Sequence, residues 1–217
     1  MTSFLLLHPP LLGPAAWAPC AAELTAAGHR VAVPDLRPAV DPPPGWYDRA
    51  ADIAAATLAP VDVVVAHSGA GVLLPLVVDR VGAGAAVFVD AVLPGNPTSD
   101  RFRDFLATLP VEDGLLPRWS DWWPPETLAQ VVPDADTRAR ILAGQPRLSV
   151  TFYDQQVPVP ASWPPPRVAY LRLSGAYGPE AEEARRLAWP TRERDGAHLD
   201  NATRPAEVAA EIVALST

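Results

Sequence analysis

Short β-rich runs that are apolar at consecutive positions recur along this chain with helical periods between them, and that alternation constrains the fold more than anything else in the sequence. The runs are Ser3 to Leu7, Arg30 to Val33, Val61 to Ala66, Ala85 to Asp90, Arg167 to Leu173 and a weaker one at Thr191 to Arg194. Unbroken apolar runs of this length are what strands buried on both faces of a parallel sheet require. Helical patterns fall between them at Pro14 to Ala27, Tyr47 to Leu58, Gly71 to Val81 and Pro205 to Leu215. Strand then helix, repeated, predicts one α/β domain over residues 1–217: a doubly wound, mostly parallel sheet of about six strands. Residues 94–163 break the rhythm. They are rich in Pro, Trp and charge, carry helical stretches at Arg101 to Leu109 and Asp134 to Leu142, and are expected to cover the strand ends as an inserted cap.

Composition narrows the chemistry. Cys20 is the only cysteine, which excludes internal disulfides and paired-thiolate zinc sites and suits a reducing compartment. All 17 basic residues are arginine, so lysine Schiff bases and P-loop lysines are ruled out. With 25 acidic residues the net charge is -8, and nucleic acid is not an expected partner. No cationic region precedes Phe4 to Leu7, and Pro9-Pro10 stops that apolar run early, so the chain is expected to be unexported and cytoplasmic. No run approaches the ~20 apolar residues of a membrane helix, so no membrane partner is expected. A chain with 49% hydrophobic residues then has apolar mass for a core and for a small-molecule pocket. Oligomeric state is not written in the sequence.

The most specific local signal is Val63-Val64-Val65-Ala66-His67-Ser68-Gly69-Ala70-Gly71, a β-branched strand that runs through small residues into an apolar helix. A sharp strand-to-helix turn that lifts one side chain above a sheet needs φ > 0 at that residue and small neighbours two places either side, which Ala66 and Ala70 supply. Ser68 therefore has the context of a nucleophile. Of the four histidines, only His198 lies late in the chain, between the last weak strand and the terminal helix, where a base for Ser68 belongs. His67 is expected to point away from the turn and to pack or hydrogen-bond. His29 follows a helix-ending glycine and is expected to be solvated.

Four segments together resemble the α/β-hydrolase superfamily over nearly the whole chain. They are Leu5-Leu6-Leu7-His8 with Trp17 beyond it, Val33-Pro34-Asp35-Leu36, Ala66 to Gly71, and Gly196-Ala197-His198-Leu199 followed by Arg204-Pro205-Ala206-Glu207-Val208. The chain looks most like the small, cap-bearing esterase and hydroxynitrile-lyase type. That resemblance implies Ser68 as nucleophile, His198 as base and the Gly69 N–H as one oxyanion donor. Two departures follow. Where the superfamily places its acid the chain reads Gly175-Ala176-Tyr177-Gly178, without a carboxylate, so the acid falls to Asp90, with Glu180 as the alternative. Asp90 ends a buried run, where an unpaired carboxylate is costly, and so demands a partner such as His198. The second oxyanion donor normally comes from the loop after the first strand, but Pro9 and Pro10 have no N–H; Leu11 is the candidate, with Leu12 beside it.

Trp119, Trp122 and Trp123 fall within five residues and are expected to roof the pocket as substrate-binding side chains; Tyr153 and Tyr177 are placed near its mouth without a role. No metal-ligand cluster or nucleotide motif appears, so neither metal nor cofactor is expected. The expected activity is serine-dependent hydrolysis of a small or medium apolar ester or lactone. The alternatives are lyase, cyclase or isomerase chemistry on the same residues, or a non-catalytic ligand receptor.

Overall fold

The computed structural model describes residues 1–40, 44–95 and 98–217. Among these residues six strands form one sheet, β1 (Ser3–Leu7), β2 (Arg30–Ala32), β3 (Val63–His67), β4 (Ala85–Val89), β5 (Arg167–Arg172) and β6 (Thr191–Glu193), in the order β2-β1-β3-β4-β5-β6. Every pairing is parallel, so the sheet is wholly and not mostly parallel. The chain winds outward from β1 to β2 and then returns to place β3 on the other flank of β1. In open α/β sheets the crevice at the carboxyl ends of strands flanking such a reversal is where ligands bind. Residues 8–13 and Ser68 lie there.

Helices cover both faces. Alternate β1 side chains divide between them: Leu5 and Leu7 face a core with Val64, Phe88, Trp46 and Ala50 of α2 (Trp46–Thr57), and Leu74 and Val77 of α3 (Leu74–Val81). Phe4 and Leu6 face Val63, Val65, Cys20 and Leu24 of α1 (Ala18–Ala26) and Val208 and Ile212 at the C-terminal end. Each buried side chain of this size stabilises the fold by roughly 1.5–3 kcal/mol.

Two expected helices are divided by proline. The run from Pro14 opens as a 3₁₀ turn, Pro14–Ala16, and α1 begins after Trp17, because Pro19 in a continuous helix would clash with the Ala15 carbonyl and donate nothing to it. Likewise the helix expected from Gly71 is 3₁₀ over Ser68–Leu73 and α-helical only from Leu74, since Pro75 cannot donate to Gly71.

Between β4 and β5 the chain leaves the sheet for α4 (Asp100–Ala107), α5 (Pro125–Val131) and α6 (Ala135–Leu142); residues 96–97 of the expected cap lie outside the described residues. Ser99 caps α4 by accepting from the Phe102 amide, and Asp134 caps α6 by accepting from that of Thr137 at 2.8 Å. The C-terminal part holds α7 (Gly178–Arg186), which sequence reading did not anticipate, a short α8 (Asp200–Thr203) and α9 (Pro205–Leu215). Among the described residues no helix is long and apolar enough to cross a membrane.

Candidate active site

Two adjacent strand ends carry two strained residues. Ser68, at the end of β3, has φ 57°, and Asp90, at the end of β4, has φ 43°. Left-handed backbone at a non-glycine residue costs of order 1–3 kcal/mol and persists only where the surroundings over-determine it. The Ser68 amide donates to the Asp90 carbonyl at 3.2 Å, and the Val92 amide donates to the Ser68 carbonyl at 3.1 Å. The Tyr170 hydroxyl donates to the Ala91 carbonyl at 2.8 Å and accepts from its amide at 3.1 Å. The tightest small-residue requirement falls at Gly71, where a Cβ would collide with the Val92 carbonyl; Ala66 and Ala70 are simply buried.

The Asp90 carboxylate is fully buried and accepts from four donors. Leu173 N–H (2.8 Å) and Ser174 N–H (3.0 Å) reach Oδ1; the Ser174 hydroxyl (2.6 Å) and His198 Nδ1 (2.8 Å) reach Oδ2. Burial opposes its charge, but the His198 and Ser174 hydrogen bonds outweigh it and hold the carboxyl below the usual range. An ionised carboxylate only accepts, so Nδ1 of His198 carries a proton.

Two rings contact His198. The buried His67 ring lies 4.5 Å from it between centroids, its Nε2 donating to the His198 carbonyl at 2.8 Å, and Tyr177 stacks on it at 4.9 Å with planes 6° apart. The His67 ring is tilted by 33° to the imidazole, so only the Tyr177 ring lies flat on it. Burial holds His67 neutral, with a pKa lowered to about 3. Tyr177 also touches the serine, its hydroxyl lying 3.1 Å from Ser68 Oγ, and no hydrogen bond joins Ser68 Oγ to His198. The structure thus brings Asp90 to His198 and Tyr177 to Ser68. Glu180 is half-buried, leaves Oε2 without a partner among the described residues and makes no bond to His198; burial, together with the charge of Asp90, pushes its carboxyl up.

On the opposite side of the crevice the Leu12 amide is closed onto the Pro9 carbonyl at 3.0 Å, while the Leu11 amide has no acceptor among the described residues. Gly69 lies in the first turn of its 3₁₀ segment, where opening N–H groups have no intrahelical partner, and faces the Pro10 ring. His8 fixes this loop: Nε2 accepts from the Leu36 amide at 2.9 Å, so Nδ1 is protonated and donates to the Pro9 carbonyl at 2.9 Å. His29 is part-buried, accepting from the Thr2 amide at 3.3 Å and meeting Phe4 edge-on.

The three tryptophans separate. Trp119 packs against a small cluster that includes Leu12, Ile141 and Leu199, of which Leu12 belongs to the loop after β1 and Leu199 follows His198. Trp122 lies against Phe102 and Phe105 with its indole N–H on the Pro117 carbonyl at 3.0 Å, and Trp123, exposed on one side, stacks on Phe105. Phe102 in turn meets Tyr153 edge-on at 5.2 Å. Burial pushes the Tyr153 phenol up, and the charge of Tyr177 adds to it. Clefts of about 460 Å³, between Gln130 to Thr137 and Ala197 to Arg204, and about 270 Å³, by Gly13 and Arg140, are not lined by Ser68. Among the described residues no group of three or more His, Cys, Asp or Glu is placed to hold a metal.

Ser174, Tyr170 and the contacts of Tyr177 were not read from the sequence. Their one signal was position: Tyr170 lies within β5, the strand beside β4, and Ser174 and Tyr177 follow it.

A model of the Alpha/beta hydrolase family matches residues 4–211. No curated protein matches the sequence. Among solved structures, the chain is similar to tomato methylketone synthase I complexed with 2-tridecanone, at 15% identity over 99% of this chain and 97% of that one, with TM-score 0.72. It is also similar to polyneuridine aldehyde esterase (18%, 100% of each chain, TM-score 0.71). A third is an extracellular alpha/beta-hydrolase from a Paenibacillus species, described as sharing structural and functional homology with tobacco salicylic acid binding protein 2 (18%, 99% of each, TM-score 0.63). At these identities the likeness is one of fold.

Proposed function

Because the chain belongs to the alpha/beta hydrolase family, we propose that it is a serine esterase or lactonase acting on a small or medium apolar substrate. Ser68 Oγ turns from Tyr177 to His198 Nε2 as substrate enters, loses its proton to that nitrogen and attacks the carbonyl carbon. The Gly69 and Leu11 amides receive the oxyanion. His198 returns the proton to the departing oxygen, and water releases the acyl group by the same route. Asp90 holds the imidazole in the tautomer that leaves Nε2 free. Residues 94–163 act as the cap, with Trp119, Trp122 and Trp123 in its apolar roof. A reducing, cytoplasmic setting belongs to the same proposal and rests on the lone Cys20.

Support comes above all from the 2.8 Å pairing of His198 Nδ1 with a buried Asp90 on the strand end next to Ser68. The test is turnover of short-chain aryl esters with fluorophosphonate labelling: Ser68→Ala should lose label and at least ~10³-fold in kcat. Equal rates for the two proteins would sink the mechanism.

One observation favours a second reading. Ser68 Oγ pairs with a phenol and not with the base, an arrangement suited to proton shuttling in lyase, cyclase or isomerase chemistry without an acyl-enzyme. Trapping of an acyl group on Ser68 by a slowly hydrolysed ester separates the two.

A further inference from the structure

The loop where the superfamily's acid would stand holds a phenol in its place. Tyr177 ends the 3₁₀ turn Gly175–Tyr177, between β5 and α7, with Pro179 stiffening the start of the helix. Three residues before it, Ser174 is tied to Asp90 through both its amide and its hydroxyl. The turn is therefore anchored to the same carboxylate that orients His198, and the phenol is a fixed part of the site. Its ring lies flat on His198 and its oxygen sits 3.1 Å from Ser68 Oγ.

From this placement we propose that Tyr177 is a further catalytic residue, whose O–H donates to the ester's departing oxygen and so selects oxygen esters over thioesters. The proposal rests on the serine esterase reading above. His198 must reach the departing oxygen to protonate it, so that oxygen lies on the side of Ser68 that His198 occupies, and Tyr177 covers the same imidazole. In the tetrahedral adduct the departing oxygen is bound to the carbon that Oγ has attacked, one bond angle from Oγ. Rotation about the phenol C–O bond then moves the hydrogen bond from Oγ to that oxygen without moving the backbone. Protons balance without Tyr177: the Ser68 proton passes to His198 and on to the alkoxide as the C–O bond breaks, and the phenol lends only a hydrogen bond. Burial pushes the phenol well above its ordinary range, against the lowering effect of the Ser68 contact, so it remains a neutral donor wherever His198 works as a base.

A hydrogen bond to developing alkoxide charge is a strong one, whereas a thioester sulfur accepts weakly and leaves easily. The experiment compares an alkyl oxygen ester with its matched thioester on the wild type and on Tyr177→Phe, which keeps the ring stack and removes the hydroxyl. The ratio of kcat/KM, oxygen ester to thioester, should fall roughly 10- to 100-fold in Tyr177→Phe. An unchanged or larger ratio overturns the assignment, whatever happens to the absolute rates. Ser68→Ala is run beside it: activity surviving in that variant defeats the esterase reading, while an inactive Ser68→Ala with an unaltered ratio in Tyr177→Phe defeats only the role of the phenol.

Discussion

The rim of the sheet and the helical excursion between β4 and β5 are built by different means. At the rim, backbone groups pair across strand ends, a buried carboxylate accepts from four donors, and two histidines tie neighbouring loops, His8 by accepting from the Leu36 amide and His67 by donating to the His198 carbonyl. The excursion has a few backbone pairings of its own, such as the Leu116 amide on the Leu148 carbonyl, but relies more on ring contacts among Phe102, Phe105, Trp122, Trp123 and Tyr153 and on solvated pairs such as Arg103 with Asp154. Exposed ion pairs contribute about 0–1 kcal/mol, and ring contacts tolerate sliding. Rigidity thus sits where atoms must meet at fixed distances. Adaptability sits where a substrate of variable shape would be covered.

The largest expected effect breaks the rim at one atom. In Asp90→Asn the amide oxygen keeps the Leu173 and Ser174 amides, leaving NH₂ facing His198 Nδ1. That nitrogen must then accept, the proton moves to Nε2, and the base is lost, so kcat should fall by up to ~10⁴ with the fold intact. Glu180→Gln should change kcat less than about tenfold, because Glu180 makes no bond to His198. Steady-state rates that cripple Glu180→Gln and spare Asp90→Asn would reverse the assignment of the acid.

Acid should separate the two regions as well. Burial lowers the pKa of His8 to about 4 and that of His67 to about 3, whereas in the unfolded chain both titrate near 6.5. Between those limits the unfolded state binds protons that the folded state refuses, so stability falls as pH drops below 6.5, by about 2 kcal/mol for each histidine at pH 5. The Asp90 carboxyl, depressed in the fold, keeps its contribution above its unfolded value near 3.9 and loses it only below that, outside this window. The excursion over residues 98–163 contains no histidine. Thermal unfolding between pH 7 and 5, with amide exchange as the local probe, should show the Pro9 and His198 loops loosening first; a Tm flat over that range contradicts the account.

The sheet was legible because consecutive apolar residues at Leu5, Val64 and Val87 admit little but a strand buried on both faces, and Ser68 was legible because small residues flank it on a strand-to-helix turn. The helix breaks at Trp17 and Leu74 were not anticipated, although Pro19 and Pro75 caused them, since proline at an early helical position reads equally well as a start or an interruption. Tyr177 was named without a function for a different reason. Its contacts join residues 109 and 21 positions apart, and only the β4–β5 register, which sets Val89 beside Leu171, brings those loops together.

The smallest expected effect tests the excursion. Trp122 and Trp123 touch Phe102 and Phe105, and Phe102 passes the contact to Tyr153 near the phenol over Ser68. Truncating both tryptophans to alanine removes apolar support from Phe102 and Phe105 and leaves the rim untouched. Apolar contact contributes in proportion to area withdrawn from water, so KM for bulky acyl esters should rise about tenfold more than KM for acetates, with kcat on acetates near wild type. A uniform rise across acyl sizes would mean that the pair only anchors the excursion. The counterpart is Trp119→Ala: Trp119 packs against the cluster that holds Leu12 and Leu199, next to the loop after β1 and to His198, so that variant should lower kcat as well. If it instead behaves like the double variant, the boundary drawn between rim and excursion runs on the wrong side of Trp119.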